Sequence, residues 1–136
     1  DQRLANTGDM LEAWGAEGDT PEARIRCFIH ILIRNRAKIR LYGCPVGTLN
    51  TELAKLNHAS QDQAREIFVL FRNWLAGQFR QLGCAAQAEQ LAMELMTRSQ
   101  GVATMFTAFQ DEAYVRDEVE KMCAWLRRIA EAPSRH

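Results

Sequence analysis

The chain has 136 residues, enough for one domain with its own core and no need of disulfides or metals to hold it. Its composition, 47% hydrophobic and 25% charged, is that of a globular chain, and no apolar run reaches transmembrane length. The 17 basic residues balance 17 acidic ones, which argues against these residues gripping nucleic acid or a membrane through a basic surface.

The hydrophobic periodicity is helical almost throughout, with no convincing strand. A first helix from Gln2 to Trp14 puts Leu4, Gly8, Leu11 and Trp14 on one face. The run GAEGDTPEA ends it and starts the next: Thr20 is a capping hydroxyl, and Pro21 fits the first helical position, where no N–H donor is needed. The second helix is expected over Pro21 to Tyr42. Ile25, Phe28, Ile29, Leu32 and Ile39 line one side, Asn35 and Arg36 lie on or beside it, and Cys27, His30 and Arg34 fall opposite.

Gly43 ends that helix in the left-handed conformation glycine tolerates best. In the following GCPVG, Pro45 disfavours helical geometry at Cys44, and Gly47 lets the chain turn into a short third helix, Gly47 to Leu56. Leu49, Leu53 and Leu56 form its stripe. Ser60, with Gln63 three residues on, reads as the capping box of a fourth helix. There Ala64, Ile67, Phe68, Phe71, Leu75 and Leu82 align, Trp74 flanks them, Gln78 sits within the apolar arc, and Gly83 stops the helix.

The fifth helix, Ala85 to Phe109, carries Leu91, Leu95, Val102, Met105, Phe106 and Phe109 on one face. Its other side, with Thr97, Gln100, Gly101, Thr104 and Ala108, lacks the lysines and glutamates of an ordinary solvated face. Asp111 caps the last helix, Glu112 to Ala130, where Val115, Val119, Met122, Leu126 and Ile129 align beside Tyr114 and Trp125. The closing EAPSRH reads as a frayed tail. The expected architecture is an all-α bundle of about six helices, the last two forming an antiparallel hairpin.

Catalytic and metal signatures are sparse. Cys27, Cys44, Cys84 and Cys123 are far apart and form no CxxC pair, which argues against a zinc site or disulfide framework and for reduced thiols in a cytosolic protein. Cys27 and His30 share a helical face and could hold one edge of a metal site, but two ligands do not make one. There is no nucleophile elbow, P-loop or dinucleotide fingerprint, so neither an enzyme nor a cofactor is expected. Cys44 has two readings, a small residue packed in a corner or a redox-sensing thiol near a helix start. Asn35, Arg36 and Gln78 also have two: polar groups satisfied within the fold, or groups pointing into a cavity walled by Trp14, Phe28, Phe71 and Trp74.

Four stretches carry a family likeness: YGCPVGTLNTELAKL, FRNWLAGQFRQLG, LAMELMTRSQGVATMFTAFQD and VRDEVEKMCAWL. Together they resemble the regulatory domain of TetR-family transcriptional repressors, in the branch with a Gly-Cys-Pro-x-Gly-x-Leu turn. The resemblance covers nearly the whole chain. It implies a cytoplasmic homodimer in which the last two helices meet their copies, with Thr97, Gly101, Thr104, Ala108, Met122, Trp125 and Ile129 at the interface.

It further implies an inducer pocket for a small apolar or amphipathic molecule, lined by Trp14, Phe28, Leu32, Asn35, Arg36, Leu49, Leu53, Phe71, Trp74 and Gln78. The turn Gly43, Cys44, Pro45 and Gly47 would pass the ligand signal to the connector helix at the start of the chain. The family's N-terminal helix-turn-helix has no counterpart here, so DNA binding is expected of an intact protein from which this chain is a C-terminal piece. An interaction bundle without a small ligand is the competing expectation.

Overall fold

The computed structural model describes residues 2–36 and 58–136. The elements are α1 (Gln2–Glu17), α2 (Pro21–Ile29), α3 (Ile31–Arg34), α4 (His58–Leu82), α5 (Ala88–Phe109) and α6 (Glu112–Glu131), then a 3-10 turn over Pro133–Arg135. Among the described residues there is no strand, as the periodicity indicates. The third expected helix, with Leu49 and Leu53, and the turn residues Gly43, Cys44, Pro45 and Gly47 lie outside the described residues.

The helix ends follow local chemistry. Thr20 has extended backbone, and its hydroxyl accepts from the Ala23 N–H at 3.1 Å, ahead of Pro21. Asp111 does the same for α6, its carboxylate accepting from the Tyr114 N–H at 3.2 Å. At the end of α4 the Cys84 N–H reaches the Phe79 carbonyl and the Gly83 N–H the Arg80 carbonyl, the paired bonds of a Schellman motif. Gly83 holds the positive φ, 109°, that this motif needs.

Several boundaries differ from the sequence reading. Helix α1 continues through Gly15 to Glu17 and ends where Gly18 donates to the Trp14 carbonyl. The second helix is not continuous. The His30 carbonyl accepts from both Ile33 and Arg34, tightening one turn and separating α2 from α3, and Asn35, a poor helix former, follows at φ −105°.

Ser60 lies inside α4 rather than capping it, because His58 and Ala59 before it are already helical. Helix α5 starts three residues later than expected, after turns over 85–87. The C-terminal residues are not frayed: Pro133 packs so close to Gly83 that a Cβ there would lie 3.2 Å from the proline ring.

Helix α4 is central, packing against α1, α2 and α5, while α6 packs against α2, α3 and α5. Its inward stripe, Ile67–Phe71–Leu75, extends one further turn to Phe79. Phe79 is fully buried, and its ring meets Trp125 of α6 edge-on at 6.1 Å. The sequence reading passed over Phe79, although its spacing four residues after Leu75 marks it as core.

The α6 stripe Val115, Val119, Met122, Leu126 and Ile129 is buried as expected. Each such side chain contributes about 1.5–3 kcal/mol relative to exposure. The two-residue corner between α5 and α6 turns the chain back. Away from the corner, Arg98 donates to Glu118 at 3.2 Å and links the two helices.

Candidate functional site

The four aromatic side chains expected to gather do so, from three helices. The Trp14 ring of α1 lies 6.2 Å from Phe28 of α2, 6.4 Å from Phe71 and 5.5 Å from Trp74 of α4, and Phe28 lies 5.6 Å from Phe71. Such edge and tilted contacts suit the ring quadrupoles. Trp14, Phe28, Phe71 and the neighbouring Leu32 are buried, while Trp74 keeps a partly open edge.

The polar residues expected beside them behave differently. Gln78 is buried, and its side-chain oxygen accepts from Arg24 at 3.4 Å. The same guanidinium donates to Gln81 at 3.1 Å and to the Gly18 carbonyl at 3.0 Å, tying the α1–α2 corner to α4. Gly18 makes room for this clamp, since a Cβ there would stand 2.7 Å from Arg24 Cγ and 2.9 Å from its backbone N.

Arg24 was not singled out in the sequence because an arginine one turn inside a helix resembles a solvated one. Asn35 is exposed at the end of α3. Arg36 turns to the Ile33 carbonyl at 3.0 Å and to Glu112 of α6 at 3.6 Å. Gln78 and Arg36 are thus satisfied within the fold. None of these contacts joins Asn35 or Arg36 to the aromatic cluster.

The face of the second helix expected to be polar instead meets α6. His30 Nε2 lies 3.9 Å from Cys123 Sγ. Burial, then the charges of Arg34 and Arg26, lowers the His30 pKa below its ordinary value. Burial raises the Cys123 thiol, so the neutral forms of both groups are favoured. Burial likewise raises Cys27, the other member of the suggested metal edge. Among the described residues no three His, Cys, Asp or Glu side chains are placed to hold a metal ion.

The expected partner-facing residues divide. On α5, Thr97, Gly101, Thr104 and Ala108 are all exposed. On α6, Met122 and Ile129 are 0% and 3% exposed within the chain's own core, and Trp125 is half-buried against Phe79. Helices α2, α3 and α5 pack against α6 and cover this stripe within the chain.

Met105 and Phe109, expected inside, lie outside at 42% and 75% exposure, joined by Met93 at 48%. Met105 sits on the flank of the buried arc, and Phe109 is the last residue of α5, where the chain turns away. Two surface grooves border this α5 face. One, about 440 Å³, lies between α4 and α5 and is lined by Arg65, Phe68, Val69, Arg72, Met93, Met96, Thr97 and Gln100. The other, about 450 Å³, lies at the α5–α6 corner and is lined by Met105, Phe109, Asp111 and Tyr114.

The described residues thus form an all-α bundle with an aromatic cluster drawn from three helices and an exposed α5 face of small and apolar side chains. Residues 21–121 match the family described as Transcriptional regulator LmrA/YxaF-like, C-terminal domain. The chain belongs to that family and is the C-terminal domain of a TetR-type transcriptional regulator. No curated protein matches it. No helix among the described residues is long and apolar enough to cross a membrane.

Proposed function

We propose that this domain senses a small apolar or amphipathic molecule and holds two copies of a repressor together, so that ligand binding releases DNA from the intact protein. The observation that carries the ligand half is the cluster of Trp14, Phe28, Phe71 and Trp74, in which aromatic rings from three helices meet. Aromatic walls with a few fixed polar groups are the usual lining of a small-molecule site, and Leu32 and Gln78 would complete this one. Leu49 and Leu53 are proposed as further lining, and Gly43, Cys44, Pro45 and Gly47 as the turn that moves with the ligand. The outward residues of α5, Thr97, Gly101, Thr104 and Ala108, support the dimer half, because small side chains let a partner helix approach closely.

Ligand entry between these rings would separate them and change the emission of Trp14 and Trp74. A panel of apolar and amphipathic compounds titrated into the protein is expected to include members that shift this emission saturably. The same members should raise the melting temperature by several degrees, since they bind the folded state alone. Phe71→Ala should abolish both responses. A panel with no active member, measured on a protein that remains dimeric, would favour an interaction bundle without a small ligand.

A further inference from the structure

We propose that His30 and Cys123 form a two-coordinate site for a soft monovalent metal ion, copper(I), which joins the α2–α3 junction to α6. The site is separate from the aromatic cluster and does not depend on the ligand reading above.

The two ligand atoms come from opposite sides of one seam. His30 stands where α2 gives way to α3, and Cys123 lies within α6, which packs against both. The imidazole Nε2 is 3.9 Å from the thiol Sγ. Bonds of about 2.3 Å to sulfur and about 2.0 Å to nitrogen, those of zinc, set two such ligand atoms about 3.5 Å apart at a tetrahedral angle and about 4.3 Å apart on a straight line. The observed spacing falls between these limits, so an ion of similar size, copper(I), enters the gap by adjustment of the two side chains alone.

Ligand number and charge select the ion. Among the described residues no third His, Cys, Asp or Glu joins the pair in a metal-holding group. Zinc asks for four ligands and calcium for more. Copper(I), with a filled d shell and a single charge, is stable with two, and its softness suits a thiolate beside an imidazole. On binding, the S–H bond of Cys123 breaks and the proton leaves to solvent. The ion then bonds to the thiolate sulfur and to the Nε2 lone pair, with no change of oxidation state.

One positive charge goes out and one comes in, so the seam keeps the charge it had. That matters here, because the partly buried seam already favours the neutral thiol and neutral imidazole. Arg26, Arg34 and Arg127 act on the pair, against Glu22. Glu22 is itself paired with Arg26 at 3.3 Å, and Arg34 with Glu17 at 3.7 Å. A divalent ion would add a net positive charge among these arginines, whereas thiolate, copper(I) and imidazole together carry none.

The test is a competition under anaerobic conditions between the chain and the chelator bicinchoninate for copper(I). The native chain should withdraw one equivalent of copper, release a proton as it does so, and ignore zinc(II) at the same concentration. His30→Gln and Cys123→Ser should each weaken binding by about tenfold or more, since even an outer-shell change at a metal costs about 10–100-fold. Cys27→Ser and Cys84→Ser should leave it unchanged, with circular dichroism confirming that all four variants fold. A measurement on the native chain needs no variant: the first equivalent of silver(I), a redox-stable stand-in, should move the ring signals of His30 in the nuclear magnetic resonance spectrum and leave those of His58 and His136 in place. A native chain that leaves copper with the chelator, an affinity indifferent to His30→Gln, a comparable loss in Cys27→Ser, or unmoved His30 signals would each overturn the site.

Discussion

Gly83 and Gln110 both hold positive φ, 109° and 55°, at the ends of successive long helices. Glycine adopts that region freely, whereas a residue with a Cβ pays for it. The two positions therefore respond in opposite senses to exchange. Gly83→Ala is expected to cost about 1–3 kcal/mol, because the backbone is strained and the added methyl meets Pro133 at 3.2 Å. Gln110→Gly should instead stabilise by about 0.5–1 kcal/mol, with the same Phe106 bond kept. Urea midpoints of the two variants against the parent check both signs. At this scale much was legible in the sequence: Thr20, Gly83 and Asp111 announce helix ends by chemistry that acts within a few residues. Pro133 was not legible, because what orders it is Gly83, fifty residues earlier in the chain.

Between elements, the seam of α2 with α6 shows where periodicity falls short. Cys27 and His30 stand opposite the main apolar stripe, and a single helix viewed alone assigns them, with the exposed Arg34, to solvent. Packing of α6 against α2 and α3 overrides that. It leaves an imidazole and a thiol 3.9 Å apart in a partly buried seam.

The consequence is a stability that depends on pH. The folded pKa of His30 is lowered, so the unfolded chain binds more protons as pH falls through its ordinary value near 6.5. The contribution of neutral His30 is complete above that pH and is lost progressively below it, toward the folded pKa. Melting temperatures compared between pH 7.5 and 5.5 should fall further for the native chain than for His30→Gln. Equal losses in the two proteins would mean that His30 does not titrate against folding. The carboxylates, common to both, cancel in the comparison.

For the molecule as a whole, Phe79 and Phe109 pose one question: which apolar residues make the fold and which remain for a partner. Sequence patterning missed the first and put the second inside, since period alone does not tell where a helix outruns its neighbours. Phe79 of α4 is fully enclosed and touches Trp125 of α6, so Phe79→Ala removes both transfer energy and packing. Such truncations cost about 3–5 kcal/mol, a large part of the roughly 5–15 kcal/mol that holds a domain together. Phe109, 75% exposed, gives up little within one chain, and Phe109→Ala should change the monomer's stability by no more than about 0.5 kcal/mol. The distinction appears only when concentration is varied. The melting temperature of the Phe79→Ala protein should be low at every concentration. That of Phe109→Ala should match the parent in dilute solution, where monomers prevail, and fall behind it as concentration rises, because association stabilises the parent by mass action. If the two proteins keep the same melting temperature at all concentrations, Phe109 takes no part in association, and the uncovered face of α5 must serve something other than a second copy of this chain.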